Sequence, residues 1–384
     1  PNTVENQKRF SLYFHKISHQ RYNPPTAVAD VVHSAALATI MKKILLILII
    51  GNLIGFSSCK EKQTKNKTLN TELTYIEKLK NLSDSIKIQG ITIKNLFKSQ
   101  ILAHQKAEFD TTMIIEKVYK PHQSLWDNCY GVIFGEENSA KFNTKSGMVE
   151  WNRTLYPENK AFFDERAQSL LEMKLDSVLE NNLTKFNRLV PHKVESTISI
   201  LFTPITGILF GGCDNDQFCI ELNYEEQDIK YTIEKGIPHE LNHLAYEPFR
   251  EDDPKKDSAL RQTIDEGFAC YFTWVFFDGQ ISKREAVENM SESDWNWYLE
   301  NEKQLFTELR QYFDDESGDN PLLRNDKLKL FEDAPKSLNY WLGFRIIEKY
   351  VEKNGEDSWK DIYELNVEKV LHESGYEQYI NGLK

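Results

Sequence analysis

Between residues 196 and 224 the chain changes texture. Ser196-Thr197-Ile198-Ser199-Ile200-Leu201-Phe202 alternates and is β-branched, Gly207-Ile208-Leu209-Phe210 follows Pro204, and Phe218-Cys219-Ile220-Glu221-Leu222-Asn223-Tyr224 alternates again. Period-two alternation is the pattern of half-buried strands. On both sides the apolar residues fall at helical spacing. Residues 71–190 read as mostly helical. Phe109 to Lys117 has a helical period that Pro121 interrupts, and Pro157 starts a helix whose apolar face runs from Phe162 to Leu179, ahead of Asn181-Asn182. Further helices are expected near 227–247, 257–277, 292–313, 336–353 and 357–372. Helix, short strands, then helices again is an α+β arrangement. Tight connections predict that the three strands form a small antiparallel sheet. No linker interrupts residues 71–384, so one domain is expected there.

Apolar residues make up 40% of the chain and aromatic ones 12%, enough for a packed core, so the main body is not intrinsically disordered. The net charge is −12, and −16 once residues 1–58, with six basic and two acidic residues, are set aside. Such a surface repels nucleic acid and has no electrostatic attraction for anionic lipid. Membrane attachment therefore needs another device.

The first methionine is Met41. Lys42-Lys43, the apolar run Ile44 to Ile50, and the segment Gly51 to Ser58 ahead of Cys59 follow it. A basic start, a short apolar run and small residues before a cut describe a secretory signal at 41–58, too short for a permanent transmembrane helix. Residues 1–40 are read as non-native upstream sequence. Phe56-Ser57-Ser58-Cys59 resembles the lipobox of bacterial lipoproteins, which implies cleavage before Cys59 and acylation of that residue. Residues 59–70, polar and lysine-rich, read as a tether between lipid and domain. The expected location is the bacterial cell envelope, facing the periplasm or the surface. Lys60 does not resemble an acidic inner-membrane retention signal, so the outer membrane is preferred.

Export leaves Cys129, Cys213, Cys219 and Cys270 in an oxidising setting. Cys213 and Cys219 flank a turn-rich stretch between strand-like runs, and a disulfide closing that turn is expected. Cys129 and Cys270 are read as buried thiols. Neither has a C-x-x-C partner, so no cysteine zinc site is expected.

Pro238 is followed by His239-Glu240-Leu241-Asn242-His243. Residues four apart lie on one helix face, so the two imidazoles can hold one zinc ion while Glu240 flanks it as general base for a zinc-held water. Leu241, Leu244 and Ala245 surround the motif with apolar side chains, which suits a partly buried helix. Pro238 predicts that the helix begins or kinks there. A catalytic zinc site keeps a position open for water, so a third protein ligand completes it. Glu266, in Ile264-Asp265-Glu266-Gly267-Phe268-Ala269, lies 23 residues beyond His243. That spacing allows a turn and a second helix returning beside the first, and Gly267 and Ala269 permit close approach. Asp265 and Glu247 are competing acids for this role, and both are candidates to accept a hydrogen bond from an imidazole.

These residues resemble the gluzincin metallopeptidases, in which H-E-x-x-H precedes a later glutamate. More narrowly, the chain is similar to a bacterial family of predicted zinc-dependent proteases, and lipoproteins related to gliding-motility components carry similar patterns. The resemblance runs from about Asp110 to Tyr379 and includes Val118-Tyr119-Lys120-Pro121 and Tyr340-Trp341-Leu342-Gly343-Phe344-Arg345. It implies a mainly helical, zincin-like fold with the sheet ahead of the active-site helix, and a peptide or protein substrate. It also implies Tyr340 as the group that stabilises the oxyanion, with Arg345 second; His372 is an alternative. Two other readings stand beside it. One is a non-catalytic envelope lipoprotein with a relic zinc site, against which the intact Glu240 argues. The other is a zinc hydrolase of cell-wall amides.

Overall fold

A computed structural model describes residues 74–206, 217–225, 228–250 and 252–383. The upstream segment, the signal sequence, Cys59, the tether, the run 207–210 and Cys213 lie outside the described residues.

Helix α1 (Tyr75–Asn81) opens with a capping box in which Thr74 and Glu77 satisfy each other's backbone donors. Strands β1 (Ser85–Ile88) and β2 (Ile91–Asn95) then form a hairpin with Ile88 opposite Ile91. Its two-residue loop places Gln89 at φ 53. A side chain on Gly90 would stand 2.1 Å from the Val194 carbonyl oxygen, so only glycine fits there. This hairpin lies inside the stretch expected to be helical. Alternation of Ile86, Ile88, Ile91 and Ile93 around Gln-Gly is its sequence signal.

Strands β3 (Ser196–Leu201) and β4 (Gln217–Glu221) complete a sheet of order β1-β2-β3-β4. The sheet is mixed, not antiparallel: β2 pairs with β3 and β3 with β4 in parallel, and only the hairpin is antiparallel. Gln217 therefore starts β4 beside Thr197, at the end of the sheet where β3 also starts. Alternate residues face two apolar clusters. Ile91, Ile93, Ile198, Ile200, Phe218 and Ile220 join the large core. Leu201 and Cys219 join a smaller one around Trp126, Tyr130, Phe142 and Trp151.

After β2 come α2 (Leu96–Leu102), a run of short α, π and 3₁₀ segments over 111–133, a two-turn helix Glu136–Asn143, and then α3 (Lys145–Glu158), α4 (Lys160–Glu172) and α5 (Leu175–Leu189). Pro157 therefore sits in the last turn of α3 instead of starting a helix. The expected single helix beyond it is broken at Lys174, whose φ is 56. The C-terminal part holds α6 (Ile237–Tyr246), α7 (Ala259–Phe276), α8 (Glu292–Leu309), α9 (Leu338–Asn354), α10 (Val367–Ser374) and α11 (Tyr376–Gly382). The segment expected as one helix over 357–372 divides into a 3₁₀ stretch, Glu356–Tyr363, and α10. Asn366 caps α10 by accepting from the Lys369 amide.

Helices α7 and α9 cross in backbone contact. A Cβ on Gly267 would stand 2.0 Å from the Gly343 carbonyl carbon, and one on Gly343 would stand 1.9 Å from the Thr263 carbonyl oxygen. Behind this crossing, buried Arg345 pairs with Glu302 at 2.8 Å and also bonds Glu348, while Tyr376 and Tyr379 each donate to Glu302 at 2.9 Å. This charged knot ties α8, α9 and α11 together. Among the described residues no helix is long and apolar enough to cross a membrane.

Candidate metal centre

Helix α6 grows out of a widened turn. A short helix, Ile229–Tyr231, leads into a π turn over Thr232–Gly236, and Pro238 occupies the first turn of α6. The helical path thus starts before Pro238, and the π turn is the irregularity that the missing proline N–H and the bulk of its ring call for. Leu241, Leu244 and Ala245 bury one side of α6 in the large core. Asn242 anchors its back by accepting a hydrogen bond from the Tyr363 hydroxyl. His239 and His243 are left on the remaining face, one turn apart, with ring centroids separated by 5.0 Å.

Helix α7, capped by Ser258, which accepts from the Arg261 amide at 3.1 Å, runs alongside. It brings the Glu266 carboxylate to the two rings. Nε2 of His239 lies 3.2 Å from Nε2 of His243, and each lies 3.3 Å from Oε2 of Glu266. Three ligand atoms therefore form a nearly equilateral triangle. A tetrahedral zinc ion with bonds of about 2.0–2.1 Å requires ligand atoms about 3.3–3.4 Å apart. The residues present fit that ion, and their chemistry, two imidazoles and one carboxylate with a face left open, fits it too. The side chains of His239, His243 and Glu266 are 8%, 14% and 27% exposed, so the triangle is largely buried and Glu266 is its most solvent-accessible member.

The charges of this cluster are strongly coupled. Burial opposes the cation on His243, but the charge and hydrogen bond of Glu266 override it and push this imidazole up to about 10. His239 is raised in the same sense: burial opposes, and the Glu266 hydrogen bond and the Glu240 charge prevail. Burial would raise the Glu266 carboxyl, yet the two imidazoles hold it well below the usual carboxylate range. Glu240 behaves differently. Burial raises it, both imidazoles pull it down, and the nearby acids Glu266 and Glu288 push it back up, leaving it above its ordinary value. A carboxylate shifted in that direction is better matched to taking a proton near neutral pH.

Tyr340, in the first turn of α9, lays its ring over His239, centroids 6.0 Å apart and planes 21° apart. Its phenol is raised well above the ordinary value by burial and by the charges of Glu266, Glu288 and Glu240, so it is a donor that stays protonated. Arg345, the second candidate for this work, is held by Glu302 and Glu348, and among the described residues it has no hydrogen bond or ion pair with the triangle. His372 stands exposed on the last turn of α10, with no hydrogen bond from its ring among the described residues. Asp265 turns away from the triangle to Arg261, 2.5 Å distant. Burial pushes its carboxyl up to about 6 against the pull of Arg261 and Arg250. Among the described residues, neither Asp265 nor Glu247 hydrogen-bonds to an imidazole of the pair.

Two further groups line the site. Cys270, one turn beyond Glu266, is buried with Sγ 3.7 Å from Nδ1 of His239. The four-residue spacing from Glu266 is the sequence signal that could have revealed it. Glu288 lies in an exposed turn where it and Asn289 have φ of 52 and 50. No motif pointed to Glu288. Cys219 is buried with Sγ 2.9 Å from the Tyr130 hydroxyl, and its expected partner Cys213 lies outside the described residues.

No curated protein and no solved structure matches the chain. A family model described as Gliding motility protein GldB matches residues 210–378, a stretch that includes His239, Glu240, His243, Glu266 and Tyr340. Over that stretch the chain is similar to gliding-motility lipoproteins.

Proposed function

We propose that this chain is a zinc-dependent metallopeptidase with a zincin-like fold, carried on a lipoprotein of the bacterial cell envelope. The observation that supports it best is the triangle of His239, His243 and Glu266, with its 3.2–3.3 Å edges beside a Glu240 carboxylate that makes no hydrogen bond or ion pair among the described residues. A purely structural metal site has no use for such a base. The anchor is the acylated Cys59, and the preferred address is the outer membrane.

His239, His243 and Glu266 would hold one zinc ion. When bound, zinc supplies Lewis acidity to a scissile amide and to the water that attacks it. Two neutral imidazoles and one carboxylate leave a net single positive charge at the centre. Glu240 takes the proton of the attacking water and delivers it to the leaving amine. Tyr340 donates its hydroxyl to the oxygen on which negative charge develops.

The test is metal analysis and peptide hydrolysis of the mature protein beside three variants. His239→Ala and Glu266→Ala are expected to lose zinc, while Glu240→Gln keeps zinc and loses hydrolysis. Full activity in Glu240→Gln would end the mechanism. A second reading is a non-catalytic subunit of an envelope machine with a relic zinc site, and the family match does not decide between the two. Bound zinc without hydrolysis, and unimpaired biological function in Glu240→Gln, would be its signature. Including peptidoglycan fragments beside proteins and short peptides separates a cell-wall amidase from a peptidase.

A further inference from the structure

We propose that Cys270 is a positioning residue of the metal centre, its sulfur accepting the Nδ1–H hydrogen bond of His239 and so presenting Nε2 to the ion. This rests on reading His239 as a zinc ligand. The two nitrogens of that ring face opposite ways. Nε2 lies 3.2 Å from His243 Nε2 and 3.3 Å from Glu266 Oε2, whereas Nδ1 lies 3.7 Å from Cys270 Sγ.

His239 is 6% exposed and Cys270 is fully buried, so bulk water cannot serve the back nitrogen. A buried N–H left without an acceptor is destabilising, because it gives up its hydrogen bond to water and gains none in return. Among the described residues no carboxylate, carbonyl or hydroxyl accepts from Nδ1, which leaves the sulfur as the acceptor within reach. The four-residue spacing of Glu266 and Cys270 puts both on one face of α7. One helix thus grips the imidazole from two sides, through a carboxylate at the front nitrogen and a thiol at the back.

Metal-bound imidazoles ordinarily donate their second N–H to a carboxylate, a carbonyl or water, and loss of that partner weakens metal binding. Sulfur is a softer and weaker acceptor, which orients the ring with little added negative charge. A cysteine present only to fill space predicts the opposite substitution pattern. Valine would then replace it harmlessly, although it offers no acceptor.

The experiment measures zinc affinity by competition with a chromogenic chelator for wild type, His239→Ala, Cys270→Val, Cys270→Ala and Cys270→Ser. The His239 Nδ1–H proton is followed by NMR in the zinc-loaded protein. Expected are a loss of about 10–100-fold in zinc affinity for Val and Ala and a change of about threefold or less for Ser. The Nδ1–H signal should move upfield or exchange away in the Val variant. Wild-type affinity and an unmoved Nδ1–H in Cys270→Val would overturn the proposal. If the Val protein does not fold, wild-type affinity in Cys270→Ala overturns it equally. A wild type that holds no zinc overturns the peptidase reading along with this one. Zinc lost in His239→Ala but fully kept in Cys270→Val overturns this one alone.

Discussion

Replacing Gly267 by alanine tests whether the crossing of α7 and α9 sets the metal site. The new Cβ would stand 2.0 Å from the Gly343 carbonyl carbon and 2.3 Å from both Gly343 Cα and Phe344 N. All three are backbone atoms, so no side-chain rotamer can relieve the clash. Reaching ordinary van der Waals contact near 3.4 Å requires the helices to part by about 1.4 Å. Overpacking a close-packed core costs about 1–3 kcal/mol, and a clash without side-chain relief belongs at the upper end, near 3 kcal/mol. The displacement acts on Glu266, the immediate neighbour of Gly267, and on Tyr340, one turn before Gly343. A shift of about 1 Å in positioned groups can lower rates about 10²-fold. The assays are urea unfolding of the metal-free protein and zinc competition on the folded fraction. Gly267→Ala should lose about 3 kcal/mol and bind zinc at least tenfold more weakly. A loss below about 1 kcal/mol with wild-type zinc affinity would refute the claim that this crossing holds Glu266 in place.

Three other outcomes follow. Tyr340→Phe should lower kcat by about 10²–10³ with zinc content and stability unchanged; unchanged kcat would assign the oxyanion to another group. Arg345→Ala should cost about 3–5 kcal/mol in urea unfolding, because Glu302 and Glu348 are left buried without it, while the folded protein keeps its zinc; a loss below about 1 kcal/mol would contradict the view of Arg345 as a purely structural cation. Zinc binding should release protons and tighten as pH rises. With His243 pushed up to about 10, the metal-free fold holds a proton there that the ion must displace. The same raised imidazole stabilises the metal-free fold fully below about pH 6.5, and that contribution fades as pH climbs toward 10. Chelator competition and buffer-dependent calorimetry from pH 6.5 to 8.5 check the sign, and pH-independent affinity would contradict it.

Sequence alone determined the features that depend on neighbours along the chain. The four-residue spacing of His239 and His243 places them on one helix face wherever that helix packs, and the apolar period over 259–276 makes a helix of the segment bearing Glu266. Alternation marked β3 and β4 as strands. Pairing did not follow from it, because parallel and antiparallel strands share the same alternation and differ only in how the chain returns. The hairpin of β1 and β2 alternates too, but in two runs of four and five residues, so short that pairing with each other and with β3 is what settles them. At the site, Asp265 and Glu266 are adjacent acids pointing about 100° apart around one helix. The rotation of α7, locked where Gly267 meets Gly343, gives Glu266 to the imidazoles, while Asp265 keeps the partner its spacing provides, Arg261 one turn back on the same helix. Nothing local distinguishes Tyr340 from Arg345 as a partner for the site. One lies over His239 and the other is held by Glu302 and Glu348 because α8 and α9 pack as they do. Local periodicity chooses elements and faces; which side chains meet is decided by helix crossings between segments distant in sequence.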